Sequence, residues 1–373
     1  MLKTNLVLSL GLAMFAACTN DGADDDMMGD DGGVDPCVMD SSQCARPPIT
    51  EKGASTLAGW SDAGYKDGNR QINLFNNPTG VAVGPDGKVY VADFDNSKLR
   101  AVDSNGNSST VIAKTGFARP FSLAFIGDTL YVGTDNDCSG MHDPGENNTQ
   151  MSGAIWKVDI NAKAAMCLID RIGRPRGLAA LKDGRLGVAD YAHHTIQIFD
   201  PNSRTLTPLA GSFNAPGAAD GAGAAATFNV PYGIVQRNDG KLVVADWANH
   251  KIRVVGLDGS VATMGGSSAG FADGGMAGAK FNHPLAMSIG SNGDIYLTDT
   301  DNFRIRKISA DGSSVSTVAG SSSGGFKDSE NASEAQFYGL EGVSVSSDGK
   351  TIYVGDGNRG ENMPYNRVRI VKF

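Results

Sequence analysis

Six side chains of different chemistry occupy one recurring position in this sequence. The position is the middle residue of a Pro-x-Gly segment, or of a close variant, that leads into alternating apolar residues, as in PRGLAA and PYGIVQ. The six Pro-x-Gly positions are Thr79, Phe121, Arg176, Tyr232, Leu285 and Glu341. A guanidinium beside aromatic rings suits a ligand that carries a carboxylate or another anion. Because the side chain differs in every copy, the repeated architecture cannot require it, and we predict that these residues contact a ligand.

A second recurring position holds aspartate and could suggest a metal site. It follows a short apolar strand, and its residues are Asp93, Asp190, Asp246, Asp299 and Asp356, whereas the sixth copy reads TLYVGTD with Thr134 and Asp135. With one carboxylate per copy, neighbouring oxygens lie farther apart than the roughly 2.3–2.6 Å reach of a calcium–oxygen bond. We therefore predict a structural role, in which each aspartate accepts backbone N–H groups of the following turn.

The elements that carry these positions are short antiparallel strands. Each copy has two alternating apolar runs joined by a turn, usually Asp-Gly or Asn-Gly, which is typical of a β-hairpin. Two further strands follow, such as KIRVVG and SVATMG, and the copies recur every 42–56 residues. Four strands at this spacing indicate the blades of a β-propeller.

The last copy lacks its fourth strand, because the sequence ends at Phe373. The segment ASTLAG at residues 54–59 matches VSTVAG at residues 315–320, the fourth strand of the copy before it. We therefore predict an all-β, six-bladed propeller of four-stranded antiparallel blades, whose last blade is closed by the N-terminal strand. Four linkers between blades share a Gly-x-x-Asp phrase, with an aromatic second residue in three of them, and predict surface loops. Each of these linkers ends in a Phe expected to pack between blades: Phe75, Phe228, Phe281 and Phe337.

The segments ADWANHKIRVV and TDTDNFRIRKI resemble NHL repeats, and the resemblance covers nearly all of residues 54–373. It implies a six-bladed, TolB-like propeller, a fold that hosts both binding proteins and enzymes. In the related gluconolactonase-type propellers, metal-binding Glu, Asn and Asp residues occupy the Pro-x-Gly positions, and here only Glu341 matches. Peptide-amidating lyases place His there, and this sequence has none. We therefore predict no catalytic residue, metal or cofactor, and expect Glu341 to be ion-paired or to contact a ligand.

Short linkers lead into the second and third blades, so the face above these blades is predicted to be open. Arg119, Arg174 and Arg176 lie on it, and the loops after the second strands add Tyr191 and Trp247. Two interpretations follow. These residues form a site for an anionic ligand, or the arginines pair with nearby aspartates on a solvated rim, which we favour.

The N-terminus has the pattern of a bacterial lipoprotein signal. Lys3 precedes a short apolar run that ends in FAAC, so residues 1–18 are predicted to be a signal peptide with Cys18 as the lipidated residue. Residues 19–50 are rich in Asp and Gly and predict a flexible acidic tether. The propeller is assigned to residues 51–373.

Four further cysteines are present: Cys37, Cys44, Cys138 and Cys167. An even number in an exported protein suggests two disulfides. Proximity favours the pairs Cys37–Cys44 and Cys138–Cys167, although four cysteines allow three pairings.

These observations predict a monomeric, non-enzymatic binding propeller. It would be held at a membrane by its lipid anchor, in the periplasm or at the cell surface, and would bind a peptide, glycan or partner protein on its open face. The alternative is a hydrolase or lyase whose central site is built around Glu341. Nucleic acid is not an expected partner, because the net charge is −9 and no basic stripe is present.

Overall fold

The computed structural model describes residues 46–141, 152–361 and 363–373. Six separate antiparallel sheets are formed. In five of them four successive strands follow chain order from the inner strand outward, and in the sixth the outer strand comes from the start of the propeller. The predicted all-β, six-bladed propeller is confirmed. The proposed signal peptide, Cys18 and the pair Cys37–Cys44 lie outside the described residues, so those assignments stay predictions. In the part of the chain that is described, no helix has both the length and the apolar character needed to cross a membrane.

The blades are built from strands β1 to β26. Blade one contains β2 (Pro78–Val83), β3 (Val89–Asp93), β4 (Lys98–Val102) and β5 (Ser108–Ile112). Blade two contains β6 (Pro120–Ile126), β7 (Thr129–Thr134), β8 (Ala154–Asp159) and β9 (Ala164–Asp170). Blade three contains β10 (Pro175–Ala180), β11 (Leu186–Asp190), β12 (Thr195–Asp200) and β13 (Thr205–Ala210).

Blades four and five each carry a fifth, two-residue strand at the outer edge. Blade four contains β14 (Gly221–Ala222), β15 (Pro231–Gln236), β16 (Leu242–Asp246), β17 (Lys251–Val255) and β18 (Ser260–Gly265). Blade five contains β19 (Gly274–Gly275), β20 (Pro284–Ile289), β21 (Ile295–Asp299), β22 (Arg304–Ile308) and β23 (Ser314–Ala319).

Single turns of 3₁₀ helix span Gly223–Ala225, Trp247–Asn249, Met276–Gly278, Thr300–Asn302 and Ala332–Glu334.

Blade six joins the two ends of the propeller. It contains β24 (Gly339–Val345), β25 (Thr351–Gly357), β26 (Asn366–Lys372) and, as its outer strand, β1 (Gly53–Trp60). β1 pairs with β26 from Gly53 opposite Lys372 to Trp60 opposite Asn366. This confirms the predicted closure, which removes a free strand edge at the seam of the ring.

The four linker phenylalanines pack between neighbouring blades, as predicted. All four are completely buried. Phe228 shares a hydrophobic cluster with Ile196 of blade three and Val244 of blade four. Burial of an aromatic side chain contributes a large apolar area, so these residues hold adjacent blades together.

The linkers that carry them are not the plain surface loops we expected. In blades four and five, part of the linker pairs with the outer strand, with Gly221 opposite Val261 and Gly274 opposite Val315. In blade one, the backbone of Gly68 exchanges two hydrogen bonds with that of Ser108. The linkers therefore cover the outer edges of these sheets.

The recurring aspartates have partners that the sequence analysis missed. In four blades the carboxylate that ends the second strand pairs with a completely buried arginine of the third strand. The pairs are Asp93–Arg100, Asp246–Arg253, Asp299–Arg306 and Asp356–Arg369, at 2.5–3.0 Å. Each arginine also pairs with a linker aspartate at 2.6–2.8 Å, and these are Asp67, Asp220, Asp273 and Asp328.

The expected backbone donors of the following turn are present at Asp190, which accepts the N–H of Ala192. In the other four copies the prediction was wrong. The backbone N–H comes from residues at or just before the start of the inner strand, as from Asn229 to Asp246 at 2.8 Å. The reason is that the inner strand begins beside the end of the second strand, and the N–H groups of the residues that lead into it point at the buried carboxylate.

Candidate ligand-binding site at the hub

The glycine of the Pro-x-Gly segment allows neighbouring inner strands to approach closely. A Cβ atom on Gly177 would lie 1.9 Å from the carbonyl oxygen of Tyr232, and one on Gly233 would lie 2.3 Å from that of Leu285. No side chain fits in such a space. The close approach brings the Pro-x-Gly positions together around the axis of the ring.

Four of the six Pro-x-Gly positions are buried and close the mouth of the central channel. Phe121, Tyr232 and Leu285 form one hydrophobic cluster with Phe94. The rings of Phe121 and Tyr232 lie 5.9 Å apart between centroids. Thr79 is also buried. The hub is therefore closed by packed side chains, so these four Pro-x-Gly residues contact one another more than they face solvent.

Arg176 is neutralised within the protein. Its guanidinium donates two hydrogen bonds to the carboxylate of Asp135, at 3.1 and 2.5 Å, and a third to the hydroxyl of Tyr232 at 2.8 Å. The same guanidinium lies 4.6 Å from the ring centroid of Phe121 and 4.7 Å from that of Tyr191, at cation–π distance. For Arg176, pairing with a nearby aspartate is the correct interpretation.

Sequence reasoning missed Asp135 as a partner of the hub. The available signal was the extra aspartate in TLYVGTD. Thr134 lies opposite Pro120 in the sheet, the place that Asp93 takes opposite Pro78 in blade one. Asp135 therefore lies one residue beyond the strand end, where the chain turns over the hub, and its carboxylate contacts Arg176.

Glu341 faces the inside of the channel, in a small cavity of about 60 Å³ that Arg176 also lines. Its Oε2 atom has no hydrogen-bond partner among the described residues. Burial raises the pKa of Glu341 to about 7, although the positive charges of Arg176 and Arg359 act in the opposite direction. We expected Glu341 to be ion-paired or to contact a ligand, and the neighbouring Arg176 is already held by Asp135.

The exposed part of this face surrounds the closed hub. Trp247 stacks on the imidazole of His283 at 4.0 Å, and Arg119 and Arg174 lie 5.5 and 5.8 Å from the ring centroids of Phe94 and Tyr191. We use the name hub rim for the partly exposed residues Arg119, Arg174, Tyr191, Trp247 and His283. These aromatic and guanidinium groups are the accessible chemistry of the predicted site.

The predicted disulfide between Cys138 and Cys167 is present. It joins the loop after β7 to β9, the outer strand of blade two. Between residues 46 and 373, in the ranges that the structure describes, no group of three or more His, Cys, Asp or Glu side chains could hold a metal ion.

The NHL repeat family matches residues 75–107, 173–199 and 281–308 of the chain. These segments lie in blades one, three and five, and combined with the six sheets they define the class. The chain is a six-bladed β-propeller that contains NHL repeats.

Among curated proteins, the chain is similar to the human NHL repeat-containing protein 2, with 26% identity over 314 residues. The match covers 70% of this chain and 42% of the human protein, so the chain spans less than half of that relative.

Two solved structures share the fold. An auxiliary nutrient binding protein from Bacteroides thetaiotaomicron has a TM-score of 0.65 at 17% identity, covering 85% of this chain and 75% of its own. A gluconolactonase from Xanthomonas campestris has a TM-score of 0.57 at 12% identity, covering 88% of this chain and 95% of its own.

Proposed function

We propose that this protein is a non-enzymatic binding propeller that captures a peptide, glycan or partner protein on the hub rim. The observation that carries the proposal is the rigid base beneath the rim. Arg176 is clamped by Asp135 and stacked between aromatic rings, so the exposed rings above it are held in place before a ligand arrives. Preorganised aromatic groups bind with a small loss of conformational entropy.

The chemistry of the hub rim supports a ligand with both an apolar face and an anionic or polar group. Trp247 and Tyr191 offer ring faces for sugars or aromatic side chains. Arg119 is exposed and Arg174 is half-buried, and both can approach a carboxylate. The similarity to a nutrient binding protein is consistent with capture of a small ligand.

We further propose that the protein acts as a monomer at a bacterial envelope, held by a lipid on Cys18, with residues 19–50 as the tether. The support is the FAAC signal and the Cys138–Cys167 disulfide, because disulfides persist in oxidising compartments outside the cytosol. Radiolabelled palmitate tests the anchor. The wild-type chain should be labelled, and the Cys18→Ala variant should not.

The binding proposal is tested by screening the full chain on arrays of glycans and peptides. The Trp247→Ala variant should lose at least about tenfold in affinity for a captured ligand, as expected for an aromatic anchor. The Arg185→Ala variant, changed in the β10–β11 hairpin at the opposite end of blade three, should bind like wild type. If Trp247→Ala binds with unchanged affinity, the hub rim is not the site.

A second candidate function is a hydrolase or lyase at Glu341. It is favoured by one observation, a partly unpartnered carboxyl group whose pKa of about 7 suits proton transfer at neutral pH. Purified protein should then open lactones, and the Glu341→Gln variant should be inactive while remaining folded. Equal rates for the two proteins would remove this candidate.

A further inference from the structure

Each blade has a groove along its third and fourth strands, and in four blades the protein fills this groove with its own linker. In blade one, Asn96 donates to the carbonyl of Gly64 at 2.7 Å, and the linker carboxylate of Asp67 accepts from Arg100 and from the backbone N–H of Thr110. Asn249 and Asn302 make the same contact with the carbonyls of Gly217 and Gly270. A Gly-x-x-Asp peptide segment is therefore the occupant that this groove is built for.

Blade two covers the same groove by other means. Its third strand carries Trp156 opposite Cys167, at the place of Arg100 opposite Thr110 in blade one. Cys167 is bonded to Cys138 of the loop after β7. The disulfide thus brings a different segment of the chain to the place that a linker takes elsewhere.

Blade three has no such cover. The segment that leads into it runs only from Arg171 to Arg174, too short to cross β12 and β13. Within the described part of the chain no strand pairs with the outer edge of β13. A cavity of about 570 Å³ remains, which we call the blade-three groove, and its lining includes Ile172, His193, Gln197, Leu206, Pro208 and Phe213.

The residues that line the blade-three groove lie at the positions that contact the linker in other blades. Gln197 lies opposite Pro208, as Arg100 lies opposite Thr110. His193 follows Asp190 by three residues, as Asn96 follows Asp93, and its Nδ1 is hydrogen-bonded to the Asp190 carboxylate. The blade-three groove therefore lies at the same place in its blade as the grooves that bind linkers, but its polar side chains are different.

One polar atom of this groove is left without a partner. His193 is 97% buried, since only 3% of its surface is exposed, and its Nε2 has no hydrogen-bond partner among the described residues. In blades one, four and five the residue at this place donates to a linker glycine carbonyl. A buried polar atom without a partner carries a desolvation cost, which an occupant of the groove would relieve.

We propose that the blade-three groove binds an extended peptide segment of a partner protein, seated as the linkers are seated in the other blades. Its backbone pairs with the outer edge of β13 at Thr205 and Leu206, which correspond to Ser260 and Val261 beside the linker of blade four. Its aromatic side chain packs on Phe213, which is 60% exposed. This is strand addition combined with a side-chain pocket.

The side chains of the blade-three groove also indicate that the bound peptide has no aspartate at the position where the linkers carry one. A linker aspartate is held by an arginine and by a threonine N–H, and blade three has Gln197 and Pro208 in their places. Proline has no N–H to donate. The segment recognised here therefore has the Gly-aromatic pattern found in three of the four linkers, but a neutral residue in place of their aspartate.

The test uses synthetic peptides with the sequence of residues 269–280, the blade-five linker, in fluorescence anisotropy with the full chain. The peptide carrying Asp273→Asn should bind, and the unchanged peptide should bind at least about tenfold more weakly because its carboxylate would be buried without a partner. On binding, hydrogen exchange at the Leu206 amide should slow.

Protein variants separate this groove from other surfaces. Phe213→Ala should weaken the Asn peptide by about tenfold, while Phe373→Ala, which changes a similarly exposed phenylalanine elsewhere, should not. Gln197→Arg introduces the residue found in four of the other blades and should reverse the preference toward the aspartate peptide. The proposal is overturned if neither peptide binds, or if Phe213→Ala and Gln197→Arg leave affinity and preference unchanged.

Discussion

Arg253 and Asp246 form an ion pair of 2.7 Å in which both side chains are completely shielded from solvent. Asp220 of the linker binds the other side of the guanidinium, also at 2.7 Å. Burying an arginine is costly unless its charge and its N–H groups are all matched. Because one partner belongs to the blade and the other to the linker, the pairing fastens the linker to the outer strands.

Loss of this arginine should destabilise the whole propeller. In Arg253→Ala, Asp246 remains buried without its counter-ion, and we expect the free energy of unfolding to fall by roughly 3–5 kcal/mol. Urea denaturation followed by circular dichroism measures the change. Arg185→Ala breaks an exposed pair with Asp183 and should cost less than about 1 kcal/mol. Similar losses in the two variants would contradict the assigned role.

Glu341 should make stability depend on pH between about 4.5 and 7. Its folded-state pKa is raised to about 7, so the native state keeps a proton that the unfolded chain has lost. The contribution of Glu341 to the free energy of unfolding is therefore greatest below the pKa that its carboxyl group has in the unfolded chain. This contribution falls as pH rises, by up to about 3 kcal/mol.

The Glu341→Gln variant isolates this effect. Denaturation midpoints of wild type and variant should diverge as pH rises from 4.5 to 7, with the variant more stable at neutral pH. Burial also raises the pKa values of Asp93 and Asp299 to about 6, but both proteins share these groups, so the difference between the curves reports Glu341. Exposed Glu330→Gln is the control, and parallel curves for Glu341→Gln would show that the carboxyl is not buried as described.

Reduction of the Cys138–Cys167 disulfide should lower stability without abolishing the fold. The bond closes a segment with a sequence separation of 29, for which loop-closure entropy predicts roughly 3.6 kcal/mol. A double Cys138→Ser, Cys167→Ser variant measured in urea gives the value directly. Adding a reductant to that variant should have no further effect, and an unchanged midpoint in the variant would contradict the prediction.

The closing strand should contribute as much as any internal strand. Leu57 of β1 is fully buried and packs in one cluster with Val368 of β26. Leu57→Ala should reduce the free energy of unfolding by about 2–5 kcal/mol. Leu257→Ala, at a site 42% exposed, should change it by less than about 0.5 kcal/mol. If Leu57→Ala is equally mild, the seam of the ring is not closed by β1.

The sequence alone was sufficient for the architecture. Strand alternation, Asp-Gly turns and the match between residues 54–59 and 315–320 predicted six blades and their closure, and the linker phenylalanines were correctly expected between blades. These properties are local, because a strand and its turn are encoded by neighbouring residues and then repeated along the chain. The recurring arginine in KLR, KIR, RIR and RVR was also visible, but nothing in one strand shows which carboxylates will meet it.

Tertiary structure decided the chemistry of the hub and of the blade-three groove. Asp135 and Arg176 come from different blades, and only the curvature of the ring brings their charges together and leaves the Oε2 atom of Glu341 without a hydrogen-bond partner among the described residues. Likewise, a short linker is evident in the sequence, but the cavity that it leaves beside His193 depends on how β12, β13 and the loops around them pack together. Alternation and turns determined the ring, and distances between side chains from separate blades determined which polar groups within it are satisfied.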